Sequence, residues 1–267
     1  MSTFKEIQGQ NIRSLSSDPS PAVNGDIWYN STSQTLKGVQ EIAAWSSGGN
    51  MTTARWGFAS AGTQTAALAA GGYQTTTAQN ATEEYGGSSW TNGGALGTAR
   101  YEVGGAGYQT SGLAFGGESA PAKLALTEEY DGTSWTAGGA LPAATQGMGR
   151  SGTQTAALGF GGLTAPGAPG KAATTQTYDG SSWTVVNSMN TARSDLGGGG
   201  TQTAGLAFGG ETSDSAAESW DGTNWTTTTS LATARKYLGS AGLAPNTTSL
   251  AFGGVATGGG LTGTNAT

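Results

Sequence analysis

Two residue patterns in this chain could do chemistry. Arg55, Arg100, Arg193 and Arg235 occupy one position of a recurring unit, each preceded by Thr-Ala, and Thr145 takes that place in the remaining unit. Guanidinium groups arranged around a ring would bind an anion or an acidic glycan; the favoured reading, since the repeat position is internal and the protein acidic, is pairing with Glu84, Glu129 or Glu218 inside the fold. Gln64, Gln109, Gln154 and Gln202 recur in Gly-Thr-Gln-Thr turns, with Tyr108 replacing the first Thr in one of them. Their amides could bind sugar hydroxyls or serve the turns alone. The carboxylate pairs Glu83-Glu84 and Glu128-Glu129 could in principle supply an acid and a base. Neighbours on a strand point to opposite faces, however, and cannot flank one scissile bond. The chain has neither histidine nor cysteine, which removes Ser-His-Asp and Cys-His nucleophiles and zinc hydrolase sites. The expectation is a protein without catalytic residues, metal or cofactor.

The elements that must position these side chains are short strands. Trp45, Trp90, Trp135, Trp183 and Trp225 recur at steps of 45, 45, 48 and 42 residues, and a Gly-Gly pair follows 26 residues later in four units and 28 in the fifth. A period of this size signals a repeat architecture. Each unit holds a glycine-rich first strand and a turn. The second strand alternates with period two, as in Leu113 and Phe115 or Leu158 and Phe160, and ends at Gly-Gly. Then comes a hairpin such as Tyr178-Asp179-Gly180-Ser181-Ser182-Trp183, whose Asp-Gly suits a tight turn. Glycine in the first strands implies close approach of other backbones, as where inner strands converge on an axis.

Hydrophobics, Gly-Gly, a spacer, then Tyr and Trp six residues apart counted inclusively is a pattern that resembles kelch repeats, over residues 36 to 267. The resemblance implies an all-β fold, a β-propeller with four-stranded antiparallel blades. Five Gly-Gly strands predict five blades. The fifth unit stops before its hairpin, so the stretch from Leu36 to Trp45 is expected to supply the missing outer strand and close the ring. The expected organisation is an N-terminal arm, residues 1–34, and a propeller, residues 35–267. The absence of histidine also removes the copper site of the kelch oxidases.

Gly25-Asp26-Ile27-Trp28-Tyr29-Asn30-Ser31-Thr32, followed by Thr35-Leu36-Lys37, resembles a hairpin of tailed-bacteriophage structural proteins. Ile27, Trp28 and Tyr29 are then attachment residues, or with Leu36 they cap the propeller. Charged residues make up 10% of the chain against about 25% for an average soluble protein. With 11 Lys and Arg and a net charge of −6, a phosphate-binding footprint for nucleic acid is not expected. No apolar run is long enough to insert in a membrane, and the start lacks a signal peptide. The expected protein is made in a cytoplasm and ends in a virion, as a displayed capsid or tail appendage. Residues 1–34 would join it to other virion proteins, and its propeller would face a host-surface glycan or protein. The alternative is a stand-alone lectin-like or protein-binding module. The variable loops Glu118 to Leu126 and Leu163 to Thr174 are where specific contacts are expected.

Overall fold

Strand alternation and Asp-Gly turns are realised throughout a computed structural model that describes residues 12–20, 27–38, 47–164, 170–211, 215–241, 247 and 249–256. The fold is all-β, with no α-helix among the described residues and none long and apolar enough to cross a membrane. The chain divides into two compact units, Met1–Ser47 and Gly48–Thr267.

In the first unit Ile27–Asn30 pairs antiparallel with Thr35–Gly38 and parallel with Arg13–Leu15. Alternation buries Trp28 and Asn30 and exposes Ile27 and Tyr29. Trp28 Nε1 and Asn30 Nδ2 both donate to Asp18, at 3.0 and 2.7 Å, and Lys37 pairs with the same carboxylate at 2.7 Å. Thr35–Gly38 is therefore the return strand of the hairpin and belongs to the first compact unit, which runs to Ser47. Leu36 and Gly38 are used here. The rest of the expected closing strand, with Trp45, lies outside the described residues, as does the stretch after Ala256.

The second unit contains four four-stranded antiparallel sheets, each in chain order. They are Ala59–Thr63, Ala66–Ala70, Thr82–Tyr85 and Trp90–Gly93; Gly104–Tyr108, Ser111–Phe115, Thr127–Tyr130 and Trp135–Ala137; Gly149–Thr153, Ala156–Phe160, Thr175–Tyr178 and Trp183–Val186; and Gly197–Gly200, Gly205–Phe208, Ala217–Trp220 and Trp225–Thr228. A fifth repeat contributes the pairs Gly239–Ser240 with Ala251–Phe252, and Arg235–Lys236 with Val255–Ala256. The five first strands lie side by side in succession, a propeller-like arrangement.

Glycine in the inner strands answers to two contacts. A Cβ on Gly105 would stand 2.5 Å from Ser60 N of the preceding inner strand, and one on Gly198 2.5 Å from Arg150 N. Gly104, Gly149, Gly197 and Gly239 each lie opposite a phenylalanine of their own sheet, whose ring occupies the space a Cβ would take. The first sheet exchanges both members of this pair, placing Ala59 opposite Ala70.

Neighbouring sheets are joined by a repeated set of contacts. Trp135, Trp183 and Trp225 donate Nε1 to Thr82, Thr127 and Thr175 of the preceding sheet at 2.8 to 2.9 Å. Phe115 and Phe160 pack their rings 4.8 and 4.9 Å from those of Trp183 and Trp225. Tyr130 and Tyr178 donate to Glu84 and Glu129. The core therefore lies between sheets, where the tryptophan spacing places it.

Candidate functional site

The repeated arginines belong to the interior. Arg55, Arg100 and Arg193 have fully buried side chains and face Glu83, Glu128 and Glu218 at 3.1, 2.9 and 3.1 Å. Arg100 Nη1 also donates to the carbonyls of Gly116 and Leu126, and Arg235 Nη1 to that of Gly253. Burial pushes the Arg55, Arg100 and Arg193 guanidinium groups down, and the facing glutamate opposes that shift in each. At Arg55, Arg100 and Arg193 an anion or glycan site is thus corrected to an internal brace, while Arg235 is half-buried. The partners are also corrected by one residue in two sheets, because Glu84 and Glu129 point to the other face and accept the tyrosines of the next sheet.

The glutamines are likewise engaged. Gln109 Nε2 donates to the carbonyls of Ala67 and Tyr85, Gln154 to Gly112 and Tyr130, and Gln202 to Ala157 and Tyr178. Each ties its turn to the preceding sheet, so these three amides are fastenings rather than free sugar-binding groups. Gln64, in the first sheet, is exposed. A small cleft of about 240 Å³ lies among these turns, lined by Tyr108, Thr153, Thr201 and Gln202.

The opposite ends of the inner strands carry the more reactive set. The two residues after each Thr-Ala-Arg or its equivalent are Trp56-Gly57, Tyr101-Glu102, Gln146-Gly147, Ser194-Asp195 and Lys236-Tyr237. The first of each pair bridges to the residue after Gly-Gly, joining Trp56 to Tyr73, Tyr101 to Glu118, Gln146 to Leu163, Ser194 to Glu211 and Lys236 to Val255. The second has positive φ in all five, between 52° and 67°. Glycine tolerates that conformation; Glu102, Asp195 and Tyr237 hold it at a cost, which a surrounding structure must offset. The offset is a run of backbone bonds from sheet to sheet, Gly147 N to Glu102 O, Asp195 N to Gly147 O and Tyr237 N to Asp195 O, at 2.9 to 3.1 Å.

This collar brings together acids and aromatic rings. Burial, with Asp195 next, raises the Glu102 carboxyl to about 7, and Gln146 Nε2 donates to it at 2.6 Å. Burial also raises Asp195, opposed by a hydrogen bond from Ser194 Oγ at 3.0 Å. The Tyr237 hydroxyl is pushed up to about 12 by burial and then by Asp195 and Glu102. Trp56, Tyr73 and Tyr101 form a cluster with ring centroids 4.8 to 5.6 Å apart, and Trp56 keeps half of its surface exposed. Lys171 and Lys236 lie 3.8 and 3.4 Å from Glu211.

No protein-family model matches the chain, and no curated protein matches it. Exposed aromatic faces beside hydrogen-bonding acceptors suit a polar ligand with apolar faces, of which a sugar is the common case. A glycosidase pair needs one carboxyl held protonated and its partner ionised. In the collar burial raises both carboxyls. Among the described residues no group of three or more acidic side chains has metal-holding geometry.

Sequence reading passed over this set, although a signal existed. The position after Thr-Ala-Arg is the place where an otherwise regular repeat changes from unit to unit among large and charged residues. The loop beginning at Glu118, expected to make specific contacts, does start at the collar.

The shift of Glu102 gives a pH dependence. Its folded value lies above the ordinary carboxylate value, so the folded chain binds the proton more tightly and stability rises as pH falls from about 8 towards about 5. Glu102→Gln should flatten that part of the curve in denaturant titrations at several pH values. An unchanged slope would mean that Glu102 does not titrate there.

Proposed function

We propose that residues 48–267 form a five-bladed kelch-like propeller displayed on a virion, with the N-terminal unit as its attachment element and the collar as its ligand-facing end. The observation that carries the reading is the division of labour between the two units. The hairpin buries Trp28 in its own unit and leaves Ile27, Tyr29 and Leu36 exposed, with Tyr29 and Leu36 directly cross-strand. Such an apolar face on a small module suits docking. The resemblance of this hairpin to tailed-bacteriophage structural proteins indicates a particle as the docking partner.

A closed ring of five blades is part of this proposal, and the contacts at the first sheet support it. Trp90 and Tyr85 of the first sheet bond to Gly49 O and Gly87 O, at 3.0 and 2.9 Å, where their counterparts bond to a preceding sheet. Closure would also cover edges that invite aggregation.

The proposed role is non-enzymatic and needs no cofactor. Its partners are other virion proteins through the hairpin and a host-surface glycan or protein through the collar. The attachment half is checked by co-sedimenting the full chain with particles that lack it. Ile27→Asp with Tyr29→Asp should leave the melting temperature unchanged, since both residues are exposed, and should abolish co-sedimentation. Undiminished binding would remove the hairpin from this role and favour a free lectin-like module.

A further inference from the structure

The collar gathers hydrogen-bond acceptors that lack donors. Glu102 and Asp195 flank Gly147, whose N–H donates to Glu102 O and whose carbonyl accepts from Asp195 N. Asp195 Oδ1 lies over this glycine, where a Cβ would stand 2.6 Å from it. Glu102 accepts from Gln146 Nε2 and Asp195 from Ser194 Oγ, but neither has a Lys or Arg at ion-pair distance among the described residues. The other collar acids are provided for. Glu211 has Lys171 and Lys236; Glu118 lies opposite Lys123 in a short hairpin and accepts from the Tyr101 hydroxyl. Those lysines act on Glu102 and Asp195 only at longer range.

A third acceptor belongs to the same place. Gln146 is 8% exposed, its Nε2 is fixed on Glu102 at 2.6 Å, and its Oε1 has no hydrogen-bond partner. Leaving a buried carbonyl without a donor is costly. Two carboxyls and an amide oxygen together call for a group that only donates, and an ammonium has three N–H donors and no acceptor. A divalent metal would need more oxygen ligands than this, and no group of three or more acids stands ready for one among the described residues.

Aromatic rings flank the acids. A Cβ on Gly57 would stand 3.7 Å from Glu102 Cγ, so the Glu102 stem lies beside the residue that follows Trp56. Trp56 is half exposed and packs with Tyr73 and Tyr101, and Tyr237, 47% exposed, follows Asp195 around the collar. Such faces attract a cation and stack against the C–H face of a sugar. The exposed indole is as broad as a sugar ring, which a slender alkylammonium would not fill.

We propose that the collar binds an amino sugar with a free ammonium group, the ammonium between Glu102, Asp195 and Gln146 Oε1 and the sugar ring on Trp56. This rests on the reading of the collar as the ligand-facing end and not on where the protein is displayed. The test is calorimetric titration of the full chain, at neutral pH and constant ionic strength, with the trisaccharides of glucosamine, N-acetylglucosamine and glucose in one common linkage. They differ only in the group on one ring carbon. The glucosamine trimer is expected to bind about tenfold more tightly than the other two. Glu102→Gln should bring it down to the affinity of the glucose trimer, and Trp56→Ala should abolish saturable binding of all three. Equal affinity for the three, lost in Trp56→Ala, would overturn the ammonium site and leave the collar as the ligand-facing end. No saturable binding of the glucosamine trimer would overturn the proposal. Binding that both variants leave unaltered would remove the collar from any ligand role as well.

Discussion

Arg100→Thr is expected to destabilise the second unit by about 3–5 kcal/mol, because it leaves Glu128 buried without its counter-charge. Arg100 Nη2 meets Glu128 Oε1 at 2.9 Å, and Glu128 Oε2 accepts the Gly97 N–H at 2.7 Å, so one carboxylate holds both the arginine and the link that precedes it. The same arrangement recurs at Thr52 with Glu83 and at Asn190 with Glu218. The third sheet shows how the pair can be dispensed with. Thr145 replaces the arginine there and the buried Gln176 replaces the glutamate, so both charges are gone together. Arg100→Thr combined with Glu128→Gln should therefore recover more than half of the loss. Chemical denaturation of the single and double variants measures both terms. A double variant as unstable as the single one would show that packing of the arginine stem, rather than charge, dominates.

Trp225→Ala is expected to cost about 3–5 kcal/mol. The indole is 6% exposed, lies 4.9 Å from the Phe160 ring and 5.4 Å from that of Trp220, and donates to the wholly buried Thr175 hydroxyl at 2.8 Å. Truncation both opens a cavity between the third and fourth sheets and leaves that hydroxyl without its donor. Trp225→Phe keeps most of the ring contact and should cost about 1–3 kcal/mol, the desolvation penalty of the orphaned group. Thermal and denaturant melts separate the two variants. Equal losses would mean that the hydrogen bond, not the buried ring, carries this interface.

These interfaces also show what the sequence could and could not disclose. Period and strand order were legible because each tryptophan, Gly-Gly pair and Asp-Gly turn has one physical role at a fixed spacing. The partner of each arginine was harder to read, since Glu83 and Glu84 are adjacent and differ only in the face they occupy. The answer was nonetheless present in the exchange of residues between units. Gln176 stands where Thr145 has displaced arginine. Thr177 replaces Glu84 and Glu129 where the next sheet carries Trp220, which has no hydroxyl to donate and turns its Nε1 to Gln202 O. The collar was obscured for the opposite reason. Its residues share a backbone conformation and not a side-chain type, so the repeat pattern gave them no emphasis. Three neighbouring apolar residues look alike in sequence, but the pleat assigns Ile27 and Tyr29 to the exposed face and Trp28 to the buried one, so Trp28 is not part of an attachment surface.

Display on a particle is the claim on which the functional account rests, and immunogold electron microscopy tests it directly. Particles from the lysate that yields the protein would be labelled with antibody against residues 48–267. The account predicts gold on capsids or tails; unlabelled particles beside abundant soluble antigen would contradict it.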